Sequence, residues 1–128
     1  MNARLVSYEG RKIVLAFPLD GSHVTVGRED DNKIQLPHEK VSKHHAVLRP
    51  LAHGWSLEDL QSTNGSFVNG KKIARVELQP GDRLTLGPYE LCYETKLPED
   101  EWVPSYLMDL SSKIHEQTLR QTKPPQPG

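Results

Sequence analysis

Three polar stretches of this 128-residue chain hold the side chains best suited to act together: Gly27-Arg28, Ser42-Lys43-His44-His45, and Ser62-Thr63-Asn64-Gly65-Ser66-Phe67-Val68-Asn69-Gly70. Arg28 offers a planar fork of N–H donors and Lys43 a point charge. Ser42 and Thr63 add hydroxyl donors, and Asn64 an amide that both donates and accepts. Such a set is rich in donors, holds two cations and lacks a carboxylate, which suits a tetrahedral oxyanion. Arginine grips phosphate through paired hydrogen bonds, and a phosphorylated side chain brings about −1.5 to −2 charges and three acceptor oxygens. Spacing alone leaves open whether the three stretches converge.

Other chemistries fit these residues less well. Gly65–Lys72 approaches the nucleotide-binding P-loop pattern, but Lys72 stands where Ser or Thr must reach Mg²⁺, and the stretch enters β-rich sequence instead of a helix. Ser42, His45 and Asp59 are the residue types of a hydrolase triad. No Gly-x-Ser-x-Gly elbow accompanies them, so no catalytic residue is expected. His44 and His45 are adjacent, and neighbours on a strand point to opposite faces, which argues against a metal pair. The single cysteine, Cys92, cannot form an internal disulfide, and no Cys/His set has zinc spacing. Neither metal nor cofactor is expected. Taken singly, Arg28 reads as a solvated loop arginine and Ser42-Lys43 as an ordinary turn. Its place after Gly27 at a strand end is what favours the phosphate reading for Arg28.

The elements that must position these loops are strands. Arg4–Tyr8 and Lys12–Phe17 flank Glu9-Gly10-Arg11, a hairpin signal, and apolar and polar residues alternate with period two in His23–Val26 and Arg83–Leu86. Ala46–Leu48, Trp55–Glu58 and Tyr89–Tyr93 are further short candidates. Turn residues separate them: Glu9-Gly10-Arg11, Asp20-Gly21, Asn69-Gly70, Pro80-Gly81-Asp82 and Gly87-Pro88. Asn-Gly supplies the two positive φ angles of a type I′ turn, and Pro-Gly suits type II. Before residue 98 no window has the apolar spacing of an amphipathic helix. Many short strands at this turn spacing predict an all-β sandwich or barrel, which gathers its loops at two ends. Arg28–Lys33, Pro37–His44 and Gln61–Ser66 are the strand-poor stretches in which a binding site belongs.

Composition bounds the function. With 16 basic and 17 acidic residues the net charge is −1, which argues against nucleic acid and anionic membrane as partners. No apolar run approaches the roughly 20 residues that cross a bilayer, and the N-terminus lacks a secretory apolar stretch. An intracellular, cytoplasmic domain is expected. Eight of the nine glycines precede Leu97, and five of the ten prolines follow it. Residues 1–97 therefore read as the domain and 98–128 as an extension. Within the extension, Val103, Leu107, Leu110 and Ile114 recur at helical spacing, predicting a helix over about 104–121 before a Pro-rich end. A lone helix of about 18 residues is marginal in water. Its apolar stripe must dock on the sandwich, on a second copy through self-association of 103–121, or on another molecule.

The order Gly-Arg, Ser-x-x-His, then Ser-Thr-Asn-Gly-Ser-Phe-Val-Asn-Gly resembles the forkhead-associated (FHA) domain over about residues 4–95. The resemblance implies a β-sandwich of about eleven strands that binds phosphothreonine peptides. It implies that Arg28, Ser42 and Lys43 contact the phosphate, that Thr63 lies close to the phosphothreonine, and that Asn64 grips the peptide backbone. Gly27, His45, Gly65, Asn69 and Gly70 are implied as structural support of the binding loops. Ser66 departs from the frequent Thr, keeping the hydroxyl and losing a methyl, so little consequence is expected. Glu29-Asp30-Asp31 reads as a hydrated loop, with a weaker reading as a preference for basic residues in the bound peptide. Function is thus expected to be non-enzymatic phosphothreonine recognition in signalling. Two alternatives stand beside it: a phosphorylation-independent assembly module, and the regulatory N-terminal domain of a larger enzyme.

Overall fold

The computed structural model describes residues 2–96, which form eleven strands in two sheets. In chain order these are β1 (Asn2–Glu9), β2 (Lys12–Leu19), β3 (Val24–Gly27), β4 (Ile34–Gln35), β5 (Ala46–Leu51), β6 (Gly54–Asp59), β7 (Ser66–Val68), β8 (Lys71–Ile73), β9 (Arg75–Glu77), β10 (Arg83–Leu86) and β11 (Tyr89–Lys96). One sheet has six strands in the order β2-β1-β11-β10-β7-β8, and the other has five in the order β4-β3-β5-β6-β9. The expected all-β sandwich is therefore present, while the helix expected over 104–121 lies outside the described residues.

Alternation explains the layering. Leu5, Leu84, Leu86 and Leu91 of the six-stranded sheet meet Val26, Leu48 and Leu57 of the other, and all seven are fully buried. Each such side chain contributes roughly 1.5–3 kcal/mol by leaving water. All seven strands expected from sequence exist, with ends shifted by up to three residues. β4, β7, β8 and β9 span only two or three residues, too few to show an alternation, and are absent from the strands expected from sequence. Asn69 and Gly70 have φ of 51° and 84°, as the type I′ turn between β7 and β8 requires.

Register places the loops. β3 runs antiparallel to β5 with Val26 opposite Ala46, and β5 runs antiparallel to β6 with Ala46 opposite Asp59. The end of β3, the start of β5 and the end of β6 are thus side by side. The segments carrying Arg28, Ser42-Lys43 and Thr63-Asn64 all leave the sandwich there.

Candidate functional site

Backbone bonds first stitch the loops together. The Arg28 amide donates to the Ser42 carbonyl at 3.0 Å, the His45 amide to the Val26 carbonyl at 2.8 Å, and the Leu60 amide to the His45 carbonyl at 2.9 Å. Side chains then complete the seam. Arg28 Nε donates to the Val41 carbonyl at 3.0 Å, which lays the guanidinium beside Ser42 with its two terminal nitrogens still available. Ser42 Oγ accepts the Thr63 amide at 3.0 Å, so its own O–H proton remains free to donate. Asn64 Nδ2 donates to the Lys40 carbonyl at 2.8 Å, which leaves Oδ1 as an acceptor. Arg28, Ser42, Lys43, Thr63 and Asn64 line one open groove. All five residues expected to contact a ligand are brought together.

Supporting residues explain why the groove holds its shape. His45 is fully buried between two of the loops: Nδ1 accepts the Ser42 amide at 3.1 Å and Nε2 donates to the Gly65 carbonyl at 2.9 Å. Those two bonds fix the ring as its Nε2–H tautomer. Neither nitrogen is left to activate a hydroxyl, which removes the Ser42–His45–Asp59 triad as a catalytic arrangement. Gly27 is required by close approach. A Cβ there would lie 2.2 Å from the Lys43 carbonyl oxygen and 2.7 Å from Asn32 Nδ2. Gly65 has φ of 85° and carries the carbonyl that His45 holds.

Two organisers went unrecognised in the sequence. Asn32, buried in the acidic loop, donates through Nδ2 to the Glu29 carbonyl at 2.8 Å and to the Lys43 carbonyl at 2.9 Å. Asp59 accepts the Ser62 and Ser66 hydroxyls, both at 2.6 Å, and the Ser62 amide at 3.0 Å. Burial pushes the Asp59 carboxyl up. The hydrogen bonds from Ser62 and Ser66, with the nearby His45 ring, outweigh that and hold it below its ordinary value of 3.8. The Ser66 hydroxyl is thus in use. Its one sequence signal was a carboxylate at a strand end a few residues before a cluster of serines.

Asn69 and Gly70 sit elsewhere. Asn69 joins two turns at the far end of β7: Nδ2 donates to Asp82 at 2.9 Å, and Oδ1 accepts the Arg83 amide at 3.0 Å. These bonds tie β7–β8 to the turn before β10, so Asn69 and Gly70 hold the scaffold next to the third loop and do not bond the groove residues themselves. The cause is strand length: β7 separates Gly65 from Asn69. His44 and His45 also part company, His45 inward and His44 outward to Asp31 at 2.9 Å. Among the described residues no group of His, Cys, Asp or Glu is arranged to hold a metal ion, and no helix is long and apolar enough to cross a membrane.

The groove therefore offers two cations, hydroxyl donors and an amide on a rigid end of a sandwich, a combination that favours a phosphate ester with extended backbone beside it. Comparison with known proteins agrees. The FHA domain family matches residues 24–87. An ABC transporter ATP-binding/permease protein of Mycobacterium tuberculosis is 40% identical over 70 residues, covering 55% of this chain and 8% of that protein. The glycogen accumulation regulator GarA of the same organism is 31% identical over 102 residues, 78% of this chain and 63% of GarA. The chain thus spans less than two thirds of these relatives. Among solved structures, one of phosphothreonine-dependent FHA domain interactions superposes with a TM-score of 0.69 at 28% identity, covering 76% of this chain and 99% of the other. M. tuberculosis EmbR in complex with a low-affinity phosphopeptide gives 0.69 at 28% identity, over 78% of this chain and 26% of EmbR. With the motifs, the sandwich and the groove all in agreement, this chain belongs to the FHA domain family.

Proposed function

We propose that this chain is a non-catalytic module that captures phosphothreonine-containing segments of partner proteins. Arg28, Ser42 and Lys43 hold the phosphate, Thr63 lies beside the phosphothreonine, and Asn64 bonds the peptide backbone just beyond it. One observation carries this reading: the Thr63 amide bonded to Ser42 Oγ joins the second and third loops where Arg28 is already anchored to Val41. Donors from all three motifs consequently face one groove. Hydrogen bonds in which one group is charged contribute roughly 1.5–3 kcal/mol each, so a few of them suffice for selective capture. The folded module is residues 1–97 with 98–128 as an extension, and its setting is the cytoplasm, where kinases supply the modified threonine.

Calorimetry with a phosphothreonine peptide, and the unmodified peptide as control, tests this directly. Arg28→Ala is expected to weaken binding by about 2–4 kcal/mol, because a charge-assisted contact is lost and the dianion keeps an unmatched oxygen. Unfolding midpoints should stay close to those of the parent, since a partly exposed binding cation stabilises the fold little. Unchanged affinity would remove Arg28 from the phosphate site.

A further inference from the structure

Two side chains of the groove hang on backbone oxygens of a single turn. Arg28, from the first loop, donates through Nε to the Val41 carbonyl at 3.0 Å. Asn64, from the third, donates through Nδ2 to the Lys40 carbonyl at 2.8 Å. Lys40 and Val41 end the β-turn His38–Val41, which the Val41 amide closes on the His38 carbonyl at 2.9 Å. Where that turn goes, the Arg28 guanidinium and the Asn64 amide follow. His38 fixes it from the first position. Its ring Nδ1 accepts the Lys40 amide at 3.1 Å, the bond to the backbone two residues on that Asp and Asn side chains make in an Asx-turn. The acceptor role of Nδ1 makes the ring neutral, with its proton on Nε2. The His38 amide in turn donates to the carbonyl of Leu36, a core residue, at 2.8 Å. The ring stands edge-on to Tyr89 of β11, with centroids 6.4 Å apart. Nor can the turn retreat. A Cβ at Gly87, between β10 and β11, would lie 2.9 Å from Val41 Cγ2 and 3.2 Å from the Lys40 carbonyl oxygen. The six-stranded sheet thus braces loops that leave the other one.

We infer that His38, which does not itself line the groove, is a positioning residue for the phosphopeptide site, acting through the Lys40 and Val41 carbonyls on Asn64 and Arg28. The amides of Lys40 and Val41 are both bonded to His38, one to its ring and one to its carbonyl. The peptide plane between them is therefore held at both sides, and the Lys40 carbonyl points at Asn64. Loss of the ring acceptor releases one side of that plane. Asn64 then loses the partner that orients Oδ1 toward a peptide backbone, and the Val41 carbonyl that anchors Arg28 moves with the turn. A role in packing alone would be met by any side chain of similar bulk beside Tyr89. Positioning requires an acceptor two residues before Lys40. For its effect on affinity this rests on the phosphothreonine reading, whereas the bonds themselves are present without a ligand.

Two substitutions separate the roles in the full-length protein. His38→Leu keeps bulk beside Tyr89 and removes the acceptor, whereas His38→Asn restores an acceptor for the Lys40 amide. In calorimetry with a phosphothreonine peptide, His38→Leu should weaken binding about five- to tenfold, and His38→Asn should stay within about twofold of the parent. In ligand-free protein, the side-chain amide resonances of Asn64 should move in His38→Leu and keep their parental positions in His38→Asn. Urea unfolding checks that each variant is folded; should His38→Leu fail, His38→Ala takes its place and is held to the same outcomes. Three results would overturn the inference: parental affinity in His38→Leu, a loss in His38→Asn equal to that in His38→Leu, or Asn64 resonances that do not move in His38→Leu. A parent protein that binds no phosphothreonine peptide would count against the phosphothreonine reading alone, and the Asn64 resonances would then decide the role of His38.

Discussion

Removing the His45 ring is the most informative single change, because that ring bonds two of the three loops at once. In His45→Ala the Ser42 amide and the Gly65 carbonyl lose partners at 3.1 and 2.9 Å. A polar group left without a partner away from water costs about 1–3 kcal/mol, and the loops can admit water, so about 1 kcal/mol each is the appropriate end of that range. The ring is fully buried, and the cavity it leaves adds about 1–2 kcal/mol. The expected loss is therefore about 3–4 kcal/mol, a large part of the roughly 5–15 kcal/mol that holds a domain of this size together. Urea unfolding followed by fluorescence reads it as a midpoint lower by about 2 M, taking a slope of about 1.5 kcal/mol per M. Phosphopeptide affinity should fall as well, since Ser42 is no longer held against Thr63. A variant whose midpoint moves by less than about 0.3 M would refute the reasoning, and with it the role of His45 as the tie between loops.

Three further outcomes are expected. Gly27→Ala forces a methyl against the Lys43 carbonyl at 2.2 Å, so it should destabilise by about 1–3 kcal/mol and also weaken peptide binding, measured by urea unfolding and calorimetry. Asp59 titrates below its ordinary value in the fold, so its contribution is present above about pH 4 and is lost as pH falls through the lowered value. Asp59→Asn should accordingly be less stable than the parent at pH 7, with the gap narrowing toward pH 3. A gap that does not depend on pH would contradict the carboxylate's role. Burial pushes the Tyr93 phenol up to about 12, reinforced by Asp82. Its stabilising effect is complete below pH 10 and lost as pH rises toward 12, and Tyr93→Phe should flatten that alkaline loss in unfolding titrations.

The strands were legible wherever alternation ran for four residues or more. Arg83–Leu86 matches its strand end to end, and the hairpin read at Glu9-Gly10-Arg11 joins β1 to β2. β4, with two residues, left no periodic trace, and its pairing with β3 is parallel, a partnership that local sequence does not encode. At the site, the residue types suited a tetrahedral oxyanion without showing that their loops meet, and the resemblance supplied the phosphothreonine ligand and which residue faces which part of it. Asn32 and Asp59 stayed hidden for a different reason. Their value lies in reaching carbonyls and hydroxyls of other loops, and in sequence each is an ordinary polar residue near a turn.

What the order of amino acids determined by itself is the set of local preferences: period-two stretches that can only bury one face as strands, turn residues that tolerate positive φ, and three short polar stretches rich in donors. Those preferences follow from bonded geometry and side-chain chemistry, which every residue carries with it. Tertiary structure decided the rest. Antiparallel register set the ends of β3, β5 and β6 side by side, and so made one groove of three loops. It pressed the Lys43 carbonyl against Gly27 and left no room for a side chain there. Each of these depends on which distant segments end up adjacent, a property of the whole chain's packing that no single stretch contains.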